Sequence, residues 1–100
     1  MWVDFGIPVG SAVGFRHPAV VVAAPDWLIP GLATVTVVPC TTTVRSWAAE
    51  VPVEGYGVAQ PWLIAAPSRG QIAAEEGVNV GAVALTQIRE VLADVLGMDW

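Results

Sequence analysis

The 100-residue chain contains no lysine and a single cysteine, Cys40. One cysteine excludes an internal disulfide and a cysteine-built metal cluster. Without lysine, its cations are Arg16, Arg45, Arg69 and Arg89, and the net charge is −5. That balance excludes the broad basic surface on which non-specific nucleic-acid binding depends. It leaves room for a local arginine site, because a guanidinium holds phosphate bidentately even inside an acidic protein. No apolar run approaches the roughly 18 to 20 residues of a membrane span. The start shows no basic segment followed by an apolar one, so no secretory leader is expected. These absences read as a cytoplasmic, soluble protein without membrane contact. The chain opens directly on Trp2-Val3-Asp4-Phe5. So short a lead-in points to a start upstream of Met1 or to a clipped first strand.

What is present is apolar material. Hydrophobic residues make up 55% of the chain and charged residues 13%. One hundred residues allow one domain, spanning 1–100, and a domain of that size has little core relative to surface. The surplus predicts a subunit interface, for which a homodimer is the commonest solution. There is no internal repeat, linker or low-complexity tract.

Strand signals dominate the first two thirds. Residues 2–5 alternate apolar and polar. Gly6 to Gly14 is a loop of turn formers. Ala19 to Ala23 is a continuous apolar run and predicts a strand buried on both faces. Pro25 to Gly31 is a loop carrying Trp27. Ala33 to Val38 reads as a third strand, rich in Cβ-branched residues. Trp47 to Val53 reads as a fourth, with Pro52 placing it at an edge or a bulge. Glu54 to Gly57 is a turn, and Trp62 to Ala66 a fifth strand between Pro61 and Pro67. From Val80 the period changes. Val83, Ala84, Ile88, Val91, Leu92, Val95 and Leu96 recur at helical spacing. Asn79 is the expected N-cap and Gly97 the expected stop. The fold class is mainly β: a small, bent sheet of about five strands with a C-terminal helix.

Two stretches carry the chemistry. Phe15-Arg16-His17 enters the first buried run, and Cys40-Thr41-Thr42-Thr43 follows the third strand. If the two runs are neighbours, Arg16, His17 and Thr41 gather at one lip of the sheet. A guanidinium, an imidazole and a hydroxyl can hold a phosphodiester and move protons around it without a metal or other cofactor. Each also has a plain structural reading. His17 can be a strand-opening histidine bonded to backbone, Arg16 a surface ion pair, and Thr41 a capping hydroxyl. Arg45 and Trp47 offer a phosphate contact and a stacking face; Trp47, like Trp62, also fits core or interface. Ser11 lies in a loop able to close over a ligand. Cys40 reads as a small buried hydrophobe.

Trp2-Val3-Asp4-Phe5, Pro8-Val9-Gly10-Ser11, His17-Pro18-Ala19-Val20-Val21-Val22 and Val37-Val38-Pro39-Cys40-Thr41-Thr42 together resemble the MazF/PemK toxins of bacterial toxin–antitoxin systems. The resemblance runs from Trp2 to about Leu96. It implies an SH3-like small barrel, a homodimer and a separate antitoxin partner. It implies metal-independent, sequence-specific cleavage of single-stranded RNA, in which the ribose 2′-hydroxyl attacks the adjacent phosphate to leave a 2′,3′-cyclic phosphate and a 5′-hydroxyl. The family's threonine maps onto Thr41. Its arginine directly precedes the proline of the second strand, where this chain has His17, with Arg16 one residue earlier. On this reading the catalytic set is Arg16, His17 and Thr41. RNA contacts fall to Ser11, Phe15, Thr42, Arg45 and Trp47. Trp62-Leu63 stands where many members carry Asp-Gln.

Two other readings stay open. One is a catalytically degenerate module of the same fold that binds a peptide partner in its groove. The other is a gyrase-targeting toxin, because a related branch uses a C-terminal tryptophan and this sequence closes on Asp99-Trp100.

Overall fold

The computed structural model describes residues 1–5, 16–24, 28, 31–74 and 80–98. Among these residues six strands form one antiparallel sheet: β1 (Trp2–Asp4), β2 (Arg16–Val21), β3 (Val37–Thr41), β4 (Val51–Val53), β5 (Gly57–Ala59) and β6 (Ile72–Ala74). Their order across the sheet is β4-β5-β3-β2-β1-β6. One helix, α1 (Ala82–Val95), follows. β4 lies at the edge with Pro52 exposed, where a missing N–H costs no ladder bond.

The central pair, β2 and β3, is buried on both faces, as the apolar run predicts. Alternation sends Val20, Val38 and Cys40 to one side, where they pack with Val51, Val53, Ala59 and the helix residues Ile88 and Leu92. Ala19 and Val37 face the other side and pack with Val3 and Val35. The helix ends on a glycine-terminated cap. Gly97 takes φ 67°, and the N–H groups of Gly97 and Met98 donate to Asp94 and Ala93. Its N-cap is Gly81; Asn79, the expected one, lies outside the described residues.

Several boundaries differ from the sequence reading. The third strand begins at Val37 and runs through Pro39 to Thr41. Thr34 makes an isolated bridge to Ser68 instead. A proline inside a central strand normally breaks its ladder. Here Ala19, opposite Pro39, turns both its N–H and its C=O toward Met1. The missing donor of Pro39 therefore points at the β5 side, where β5 has already ended. The carbonyl it would have met, that of Gln60, accepts from Leu63 N–H at 2.9 Å. The expected strand Trp62–Ala66 is instead a 3-10 turn at Pro61–Leu63, followed by a bridge from Ala65 to Val37. Pro61 favours that turn because its fixed φ suits a first helical position. Residues 47–49 are a turn before the short β4, and β5 and β6 were not anticipated. On α1, Ile88 and Leu92 are buried, whereas Val83, Val95 and Leu96 are exposed. Val83 lies five residues before Ile88, about 140° round the helix. Among the described residues no helix is long and apolar enough to cross a membrane.

Candidate active site

The site is built at the end of the β2–β3 pair. Ala19 lies opposite Pro39, Val20 opposite Val38 and Val21 opposite Val37. Continuing that register sets Pro18 opposite Cys40 and His17 opposite Thr41. His17 and Thr41 then form a pair of the kind without mutual backbone bonds, in which facing side chains come closest. Both are half-buried.

Pro18 explains why a histidine stands beside it. Cys40 turns its carbonyl toward β2, where a residue other than proline would donate an N–H. The imidazole takes that place: His17 Nδ1 lies 3.2 Å from Cys40 O. A carbonyl only accepts, so Nδ1 carries the proton and Nε2 of the neutral ring keeps its lone pair. The ring is thus held in one tautomer and one orientation.

Thr41 is held from two directions. Its Oγ1 accepts from Thr43 N–H at 3.1 Å, which leaves the hydroxyl proton free to be donated. Gly57 packs directly on its main chain. A Cβ at Gly57 would collide with Thr41 O, and Gly57 takes φ +84°.

Arg16 opens β2 opposite Asp4 and is exposed. The strand is already regular there, so alternation directs Arg16 to the opposite face from His17. The structure therefore brings His17 and Thr41 together and leaves Arg16 at the lip, where it must reach round the strand end. Thr42 is exposed beside Thr41. Ser11 and Phe15 lie outside the described residues.

Arg45 and Trp47 sit on the loop between β3 and β4. The Arg45 guanidinium carbon lies 5.4 Å from the centre of the Trp47 ring. Trp47 in turn meets Trp62 at 5.3 Å between ring centres, tilted by 47°. Glu50 fastens this loop. Its carboxylate accepts from Arg45 N–H at 3.0 Å and from Trp47 N–H at 2.8 Å, with Ser46 between them at φ 59°. Gly57, Glu50 and the supporting role of Pro18 escaped the sequence reading. The Gly-Tyr-Gly turn and the acid three residues after Trp47 were the available signals.

Cys40 is 1% exposed. Burial pushes its thiol up to about 11, against a smaller opposing pull from the N-terminal ammonium. At neutral pH it is a packing group. Among the described residues no three of His, Cys, Asp and Glu converge on a point where a metal would sit.

Among the described residues, a six-stranded antiparallel sheet with one C-terminal helix, its polar groups at the ends of two central strands, defines a small mainly β class of fold. Comparison with known proteins narrows that class. The chain is 34% identical over 76 residues to Endoribonuclease MazF3 of Mycobacterium tuberculosis, covering 71% of this chain and 74% of that one. Among solved structures, MazF from Deinococcus radiodurans superposes with a TM-score of 0.84 at 24% identity, covering 97% of this chain and 91% of that one. An endoribonuclease in complex with its cognate antitoxin from a mycobacterial species superposes with a TM-score of 0.78 at 20% identity, covering 99% and 91%. No protein-family model matches. The chain belongs to the MazF endoribonuclease family.

Proposed function

We propose that the protein is the toxin of a toxin–antitoxin pair and cuts single-stranded RNA at a short sequence without a metal. The observation that carries this reading is the oriented His17 imidazole facing Thr41. In the proposed step, the ribose 2′-oxygen attacks the neighbouring phosphorus while His17 Nε2 takes the 2′-hydroxyl proton. The bond from phosphorus to the 2′-oxygen forms and the bond to the 5′-oxygen breaks. The 5′-oxygen leaves with the proton returned by the imidazolium. The products are a 2′,3′-cyclic phosphate and a 5′-hydroxyl. The Thr41 hydroxyl donates to a non-bridging oxygen, and the Arg16 guanidinium, reaching over the lip, offsets the charge that builds on the phosphorane. Thr42, Arg45 and Trp47, with Ser11 and Phe15, supply RNA contacts.

The working unit is proposed to be a homodimer, with an antitoxin segment competing with RNA for its groove. The exposed Leu28, Val44, Trp47, Val83, Val95, Leu96 and Met98 supply the apolar surface that such partners would cover. The relative solved with its cognate antitoxin supports this partner class. Incubation of the purified protein with mixed-sequence single-stranded RNA in EDTA tests the reading. Fragments with cyclic phosphate and 5′-hydroxyl ends are expected. Binding without cleavage would favour the degenerate module instead.

A further inference from the structure

Trp47 is 53% exposed, a large share for the bulkiest side chain. Yet it is held firmly. Glu50 fixes its backbone, Arg45 lies over its ring and Trp62 braces it from the 3-10 turn at Pro61–Leu63. A large aromatic left exposed while its backbone and ring are braced offers a surface that a partner can cover. The neighbouring cation narrows the occupant. With the guanidinium over one face, the rest of the exposed ring can meet a flat ring while the cation meets an anion, and a nucleotide joins both. An acidic or aliphatic peptide would use the cation or the apolar face but not the pairing.

The position along the sheet keeps the pair near the Thr41 end. Thr41 is level with Val58, and Trp62 lies four residues further along the chain. Ala59 is level with Cys40, so the chain from Val58 to Trp62 runs back along β3, and at about 3.3 Å per strand residue and about 2 Å per 3-10 residue Trp62 lies on the order of 10 Å from the level of Thr41. We infer that the Trp47–Trp62 pair is a stacking platform for one unpaired base flanking the cleaved phosphate, with Glu50 as the positioning residue that holds it. This rests on the ribonuclease reading of the Thr41 end.

The test uses the full chain and two probes. The first is mixed-sequence single-stranded RNA, for steady-state cleavage. The second is the same RNA fully 2′-O-methylated, which lacks the attacking hydroxyl and reports binding through tryptophan fluorescence. In the wild type the methylated probe should quench fluorescence. Trp47→Ala should lose most of that quench and raise KM about 5- to 100-fold, with kcat changed less than about twofold. Trp47→Phe should recover most of the affinity. Glu50→Gln keeps one oxygen within reach of both N–H groups but loses the second acceptor to Arg45 N–H and the charge, and should raise KM in the same direction by a smaller factor. Circular dichroism checks folding, and if Trp47→Ala does not fold, Glu50→Gln carries the test. Unchanged quench and KM in folded variants, while the wild type cleaves, would overturn the platform and leave the ribonuclease reading standing. So would unchanged RNA kinetics alongside weakened binding of an acidic peptide. A wild type that neither cuts nor binds RNA would remove the ribonuclease reading and the platform together.

Discussion

His17 Nδ1 and the main-chain oxygen of Cys40 lie 3.2 Å apart, across the gap in the β2–β3 ladder that Pro18 leaves. The bond does two things. It satisfies a buried strand's carbonyl that would otherwise lack a donor, a deficit of about 1 to 3 kcal/mol. It also turns the unprotonated ring nitrogen away from the backbone. The structural role and the proposed chemical one therefore meet in one side chain, and substitutions can separate them.

Pro18→Ala restores the missing N–H opposite Cys40. The new donor competes with His17 for the carbonyl and loosens the ring. The gain of one backbone bond and the loss of proline's restraint on the unfolded chain are each about 1 kcal/mol. Thermal stability should change little, while kcat falls several-fold. A loss of stability above about 3 kcal/mol would show that Pro18 is not aligned with Cys40.

Gly57→Ala and Gly55→Ala form a matched pair. Both glycines have left-handed φ, 84° and 83°. That conformation alone costs an alanine about 1 to 2 kcal/mol. Space around Gly55 is open, whereas a Cβ on Gly57 would collide with Thr41 O. Gly57→Ala should lose about 3 kcal/mol or more and abolish cleavage, and Gly55→Ala should lose about 1 to 2 and keep it. Urea unfolding of the two variants checks the difference. Equal losses would contradict the close approach at Thr41.

Cys40 predicts a pH dependence. The thiol ionises near 9.0 when unfolded and near 11 in the fold, because burial penalises the thiolate. The folded state holds its proton more tightly. Its contribution is complete below pH 9 and is lost as pH rises toward 11, on the order of 2 to 3 kcal/mol in all. Urea midpoints of wild type and Cys40→Ala should converge over that interval. Parallel curves would show that the thiol is not held protonated by the fold.

The sequence made the paired apolar runs legible, and with them the juxtaposition of His17 and Thr41. Their Cβ-branched patterns define strands buried on both faces, and polar groups at the run ends must then meet. The edge position of Pro52 and the stop at Gly97 were legible for the same reason: each follows from one residue's backbone chemistry. The run of the third strand past Val38 and through Pro39 was not legible, because it depends on where β5 ends, a tertiary fact. Trp62–Ala66 looked like a strand because its apolar run is too short to distinguish periods. Gly57 and Glu50 act on residues 16 and 5 or fewer positions away. Their roles appear once the turn and the loop are closed in space.

The most direct measurement is the single-turnover cleavage rate of His17→Asn beside its melting temperature. Asparagine places an amide N–H near the position of Nδ1 and keeps the bond to Cys40 O, but it has no counterpart to Nε2. A rate loss of about 10²- to 10⁴-fold with near-native melting is the predicted result. Cleavage within a few-fold of wild type would mean that the imidazole serves the backbone alone.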